Sequence, residues 1–203
     1  MVGPSNRAAA EALAAWPDAL GGVLALVGPE GAGKSHLAAD WAERTGAVLL
    51  TDVAAELTDL SELEGRPVAL DGAEGADDET LFHLINLAQA EGGALLLTAR
   101  TPPSAWETRL PDLRSRLNAI RVVQVREPDD EVLKGVLQRL FADRAITPSP
   151  DLIEYLVRRI ERSVPAARRV VAELDDNAGT RPITRALARE LLEREPASGE
   201  LFE

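Results

Sequence analysis

GPEGAGKS, residues 28–35, fits the pattern G-x-x-x-x-G-K-S without a mismatch. It lies between an apolar run, VLALV at 23–27, suited to a buried strand, and a helical stretch from Ser35 to Arg44 that ends at Gly46. Each residue type in the stretch has a task in holding phosphate. Gly28, Gly31 and Gly33 let backbone N–H groups turn inward around phosphate oxygens. Lys34 brings a point charge to the terminal phosphates. Ser35 offers a hydroxyl to Mg²⁺, and the helix N-terminus adds its dipole. Pro29, Glu30 and Ala32 complete the loop, and His36 follows it into the helix. A glycine-rich turn with a surface lysine is the competing structural reading, and the flanking strand and helix count against it.

Working outward, strands and helices alternate. Residues 6–16 (NRAAAEALAAW) read as a helix with Asn6 as its N-cap. AVLLTD (47–52), PVALDG (67–72), ALLLTAR (94–100) and IRVVQV (120–125) read as further strands. Residues 53–64 and 78–91 read as helices, and 101–119 as loop with a short helix. This order predicts an α/β fold with a five-stranded parallel sheet flanked by helices over residues 1–127. After Pro128 the pattern is helical only, with candidates at 129–144, 149–161, 165–177 and 183–194. Ser149-Pro150-Asp151 is a good helix start. A small all-helical lid over 128–195 and a frayed tail over 196–203 follow from this reading.

A nucleotide site also needs an acid at the end of a neighbouring strand to hold Mg²⁺. Asp71 stands there, and a strand-end aspartate capping a turn is the alternative. Position 72, where an acid would activate the attacking water, is glycine. Glu74, two residues on, is a candidate substitute, but its spacing is wrong for the usual geometry, so slow intrinsic hydrolysis is expected. Thr98, near the end of the fourth strand, is either a polariser of the γ-phosphate or water, or an ordinary β-branched strand residue.

Composition excludes other chemistries. The chain has 203 residues, no cysteine and only two histidines, His36 and His83. Disulfide scaffolds, zinc fingers, thiol nucleophiles and three-histidine metal sites are ruled out. No apolar run approaches the roughly 20 residues that span a bilayer, and no leader peptide opens the chain. The expected location is the cytoplasm, without membrane partners. With 34 acidic against 22 basic residues the net charge is −12. Such a chain repels a phosphate backbone, so direct duplex DNA binding is not expected.

Over residues 1 to about 195 the chain resembles the AAA+ ATPase module of the DnaA/Hda group of replication regulators. VGPSNRAA at 2–9 resembles the stretch leading into that group's adenine pocket, which implies roles for Val2, Gly3 and Asn6. GPEGAGKSHLA at 28–38 resembles its P-loop, with Ser-His-Leu following the lysine. PVALDG resembles the Walker B strand, and LLLTAR with Pro102-Pro103 the sensor 1 strand and its turn. LPDLRSRL at 110–117 is very similar to the box that carries the arginine finger, which by position implies Arg116. The region 129–194 resembles the lid.

Within the group the Hda type is nearer. The chain stops at Glu203 without the DNA-binding domain of a full initiator, and Hda-type proteins also tend to lack the second Walker B acid. The resemblance implies bound ADP or ATP with Mg²⁺ and assembly through AAA+ edges. It also implies loading on the replicative sliding clamp and stimulated hydrolysis of DnaA-bound ATP, a brake on replication initiation. Two departures stand out. The N-terminal clamp-binding peptide is absent ahead of VGPSN, so the chain is either shortened or uses the clamp differently; Leu-Phe in GELFE (199–203) is a weak substitute. The sensor 2 register falls on Pro165, leaving Arg168 or Arg162 as candidates beside a plain surface role. A self-sufficient ATPase acting as a loader or remodeller, and a nucleotide-dependent scaffold, remain as alternatives.

Overall fold

The five apolar runs form one parallel sheet in the computed structural model, which describes residues 3–16, 22–89, 93–179 and 181–194. Its strands are β1 (Val23–Val27), β2 (Val48–Thr51), β3 (Pro67–Asp71), β4 (Ala94–Ala99) and β5 (Arg121–Gln124), in the order β2-β3-β4-β1-β5. Every neighbouring pair is parallel. Parallel sheets need cover on both faces, so their inner strands read as unbroken apolar runs. On one face Leu24, Leu26, Ala69 and Leu96 pack with Leu13 of α1 (Arg7–Ala15) and Trp41 of α2 (Lys34–Thr45). On the other, Val27, Leu70, Leu95 and Leu97 pack with Leu84 and Ile85 of α4 and with Leu113 and Leu117 of α5. Here α3 is Asp52–Leu57, α4 is Asp78–Gln89 and α5 is Pro111–Ala119. The edge strands leave Leu49 and Val122 exposed.

The chain divides between Glu127 and Pro128 into two compact units. The second holds α6 (Asp130–Ala142), α7 (Pro150–Val157), α8 (Val164–Ala178) and α9 (Arg185–Arg194) around a core that includes Leu137, Phe141, Leu156, Val171 and Leu174. Side chains cap three of these starts: Asp129 accepts from the Val132 N–H, Ser149 from Leu152 and Ser163 from Ala166.

Three local expectations change. The single helix read over 53–64 is broken at Thr58-Asp59: Thr58 turns its hydroxyl back to the Ala54 carbonyl, and Asp59 caps a separate 3₁₀ turn, Leu60–Leu63. The helix read over 149–161 ends at Val157. Asn6 occupies the N-cap position of α1 but makes no side-chain cap there; its Oδ1 accepts the Gly3 N–H at 2.9 Å. The readings that fall on Val2, on the tail over 196–203 and on GELFE lie outside the described residues.

Candidate nucleotide site

The loop over 28–33 joins the carboxyl end of β1 to the start of α2, and its glycines do two different jobs. Gly31 and Gly33 hold left-handed backbone, with φ of 74° and 95°, which only glycine adopts without strain. Gly28 answers a close approach instead. A Cβ there would lie 2.0 Å from the Val125 carbonyl oxygen, and its N–H is spent on the Ala99 carbonyl at 3.2 Å. Gly28 is therefore a packing glycine, not one of the inward-turned phosphate donors. Ala32 is buried and donates to the Pro29 carbonyl at 3.4 Å, which tightens the loop. Helix α2 has no side-chain cap at Gly33, so its first N–H groups are left for an outside acceptor.

Lys34 rests on the loop itself. Its Nζ donates to the carbonyls of Gly28 and Pro29, each at 2.8 Å. Partial burial lowers its pKa from the ordinary lysine value, against the raising influence of Glu74, Asp71 and Glu30. Ser35 and His36 follow in the first turn of α2, both exposed.

Asp71 ends β3 beside β4. The Thr98 hydroxyl donates to Asp71 Oδ1 at 2.5 Å and accepts the Gly72 N–H at 3.1 Å, while Thr98 itself is 1% exposed. With its proton directed at Asp71, Thr98 positions that carboxylate. Magnesium fits these residues on the chemistry of the donors: Asp71 and Ser35 would hold it. Among the described residues no group of three or more histidines or acids could ligate a metal. Phosphate oxygens and water would complete the shell, the usual arrangement for Mg²⁺.

One residue here, Arg100, escaped the sequence reading, and another, Glu74, was set aside for its spacing. Gly72 is left-handed, at φ 77°, and leads into a 3₁₀ turn, Ala73–Gly75, that brings Glu74 back to the site despite its spacing. Glu74 Oε1 accepts from the Arg100 backbone N–H at 3.0 Å and from Arg100 Nε at 3.2 Å. Arg100 also lies 3.9 Å from Glu30 of the loop. A glycine two residues ahead of the acid was the available signal for Glu74, and an arginine directly after the fourth strand was the signal for Arg100.

Arg116 lies at the other end of the sheet. It shares a groove of about 470 Å³ with Gly22 and Val23 at the amino end of β1 and Arg121 at the start of β5. Five residues of strand, at about 3.3 Å each, separate this end from the loop. Its guanidinium donates to Gln89 Oε1 at 2.8 Å and stacks 5.1 Å from the Phe82 ring centroid. These partners hold it. In the helical unit Pro165 sits in the first turn of α8, where a missing N–H costs nothing. Arg162 is tied to Asp130 at 2.6 Å, and Arg168 is exposed one turn along α8.

Similarity to known proteins follows the same lines. No family model matches the chain. It is 29% identical over 211 residues to the chromosomal replication initiator DnaA of Caulobacter vibrioides, covering 87% of this chain and 43% of that protein. Against the Cutibacterium acnes DnaA the figures are 25% identity, 81% and 38%, so the chain spans about two fifths of these curated relatives. Domain III of the Thermotoga maritima DnaA superposes with a TM-score of 0.76 at 18% identity, covering 95% of this chain and 93% of that one. The chain has a DnaA/Hda-type AAA+ fold. AMPPCP-bound DnaA from Aquifex aeolicus shares it at a TM-score of 0.68 and 16% identity, over 96% of this chain and 68% of that structure. The chain thus shares the AAA+ fold of DnaA domain III, and its 28–35 loop, Asp71 and Thr98 lie at one end of the sheet. No described helix is long and apolar enough to cross a membrane.

Proposed function

We propose that this domain binds ADP or ATP with Mg²⁺ at the 28–35 loop and acts in trans on a DnaA initiator, where Arg116 completes the initiator's nucleotide site. Hydrolysis of DnaA-bound ATP is thereby accelerated and initiation is held back, with the protein acting from the replicative sliding clamp. The observation that carries this reading is the position of Arg116. It lies at the amino end of β1, away from its own P-loop, so it serves a neighbour's nucleotide rather than its own. Its contacts with Gln89 and Phe82 hold a charge that needs no reorganisation when a phosphate arrives. An arginine supplied this way is worth about 10³–10⁵ in rate.

The test measures ATP hydrolysis by DnaA on clamp-loaded DNA, with and without this protein. Acceleration that disappears in Arg116→Ala supports the reading; acceleration that survives overturns it. The same assay without DnaA addresses the second reading, a self-sufficient ATPase, which the returned Glu74 carboxylate favours.

A further inference from the structure

We infer that Glu74 supplies the carboxylate that orients the attacking water at the γ-phosphate, in place of the acid absent at position 72, and that Arg100 restrains it. The inference rests on the nucleotide reading of the 28–35 loop.

The path of the chain after β3 is fixed by three small residues. Gly72 makes the left-handed turn, and its carbonyl accepts the Gly75 N–H at 2.9 Å. Ala73 is wholly buried. At Gly75 a Cβ would stand 2.5 Å from Asp52 Oδ2. Glu74 is the functional side chain this turn carries, and it is folded back onto the end of β4. Its two oxygens are treated unequally. Oε1 takes both Arg100 donors, whereas Oε2 is buried with no hydrogen-bond partner. A buried carboxylate oxygen left unmatched is costly, and such a group calls for a donor. Arg100, which holds Oε1, also lies 3.9 Å from Glu30 of the 28–35 loop, so one guanidinium links the turn to that loop. An unmatched acceptor is therefore carried next to the phosphate-binding loop, in a site whose usual acid is missing.

A water molecule is the donor that satisfies Oε2. In hydrolysis the water oxygen forms a bond to the γ-phosphorus, and the bond from that phosphorus to the β–γ bridging oxygen breaks. The bonding pair leaves on ADP, and the water proton passes to Glu74 and from there to the phosphate product. While Oε1 remains on Arg100, the carboxylate is a weaker acceptor and cannot swing.

The experiment measures affinity for Mg²⁺–ADP with and without aluminium fluoride, whose complex imitates the transferring phosphoryl group and its in-line water. Transition-state analogues bind about 10²-fold or more tighter than ground-state ligands when the orienting groups are present. Wild type is expected to gain affinity on adding fluoride. Glu74→Gln is expected to bind ADP as wild type does and to lose at least about tenfold of that gain. Its single-turnover hydrolysis falls by about 10²–10⁴. Arg100→Ala keeps the gain. A full gain in Glu74→Gln, no gain in wild type, or an equal loss in Arg100→Ala overturns the inference while ADP binding still stands. A wild type that binds no ADP overturns the nucleotide reading itself.

Discussion

Thr98 and Asp71 face each other across β4 and β3, and the threonine hydroxyl donates to the aspartate at 2.5 Å while accepting the Gly72 N–H. One buried hydroxyl thus fixes both the carboxylate proposed to hold Mg²⁺ and the left-handed turn that follows it. Thr98→Val keeps the shape and removes both bonds. It is expected to cost about 1–3 kcal/mol, the penalty for leaving a buried donor unmatched, measured by urea unfolding. Its nucleotide affinity should depend more steeply on Mg²⁺ concentration, as Asp71 is no longer held. Thr98→Ser should restore most of both properties.

Lys34 carries a cost in the nucleotide-free protein. Burial lowers its pKa, so the folded state binds fewer protons than the unfolded state between that lowered value and 10.5. Stability from this group therefore rises with pH across that window and is least at lower pH, where the buried ammonium is fully charged. Lys34→Met should leave the nucleotide-free Tm at or above that of wild type near neutral pH, and the difference should shrink as pH climbs toward 10.5. Mg²⁺–ADP should raise the Tm of wild type alone. Thermal melts across pH, with and without nucleotide, check both halves. A nucleotide-free Tm well below wild type contradicts the argument.

The fold was legible because its signals are local. GPEGAGKS fixes the strand-to-helix turn, and doubly covered strands such as Leu95-Leu96-Leu97 read as strand without alternation. Much of the site's wiring was not legible, because it depends on which strands become neighbours. Thr98 reaches Asp71 only since β4 lies beside β3, and Arg100 reaches Glu30 only since β4 also lies beside β1. Glu74 was discounted for its spacing along the chain, and only the backbone of Gly72 shows how the turn returns it.

The two glycines at 28 and 72 separate steric from conformational constraint. Gly28→Ala places a methyl against the Val125 carbonyl, so β5 must shift from β1. Overpacking of this kind costs about 1–3 kcal/mol. Gly72 has open space around its Cβ position but a φ of 77°. Gly72→Asn should be tolerated best, since asparagine accepts left-handed backbone, and Gly72→Glu should cost about 1–2 kcal/mol. Placing an acid at 72 is therefore a poor route to faster hydrolysis. It strains the turn that presents Glu74, and Gly72→Glu should lower single-turnover hydrolysis rather than raise it.

Arg116 offers the sharpest separation of fold from function. Its guanidinium is fixed by Gln89 and by the Phe82 ring, both on α4, and these contacts are part of the surface rather than of the core. A cation–π contact at a partly exposed site is worth about 0.5–1 kcal/mol, so Arg116→Ala should unfold within about 1 kcal/mol of wild type. Nucleotide binding should be unchanged, because the P-loop lies at the opposite end of β1. Stimulation of DnaA-bound ATP hydrolysis should fall to background. Phe82→Leu and Gln89→Ala keep the arginine and remove what holds it. Each should lower stimulation several-fold without abolishing it, since the charge remains but must be ordered in the transition state. Arg116→Lys should fare worse than either, because an ammonium can neither stack on Phe82 as a plane nor form a bidentate pair with phosphate. DnaA hydrolysis measured across this set, beside urea unfolding of each variant, gives the order wild type, then the two holding variants, then lysine, then alanine. Any variant lacking the guanidinium that stimulates as well as wild type removes Arg116 from the proposed mechanism.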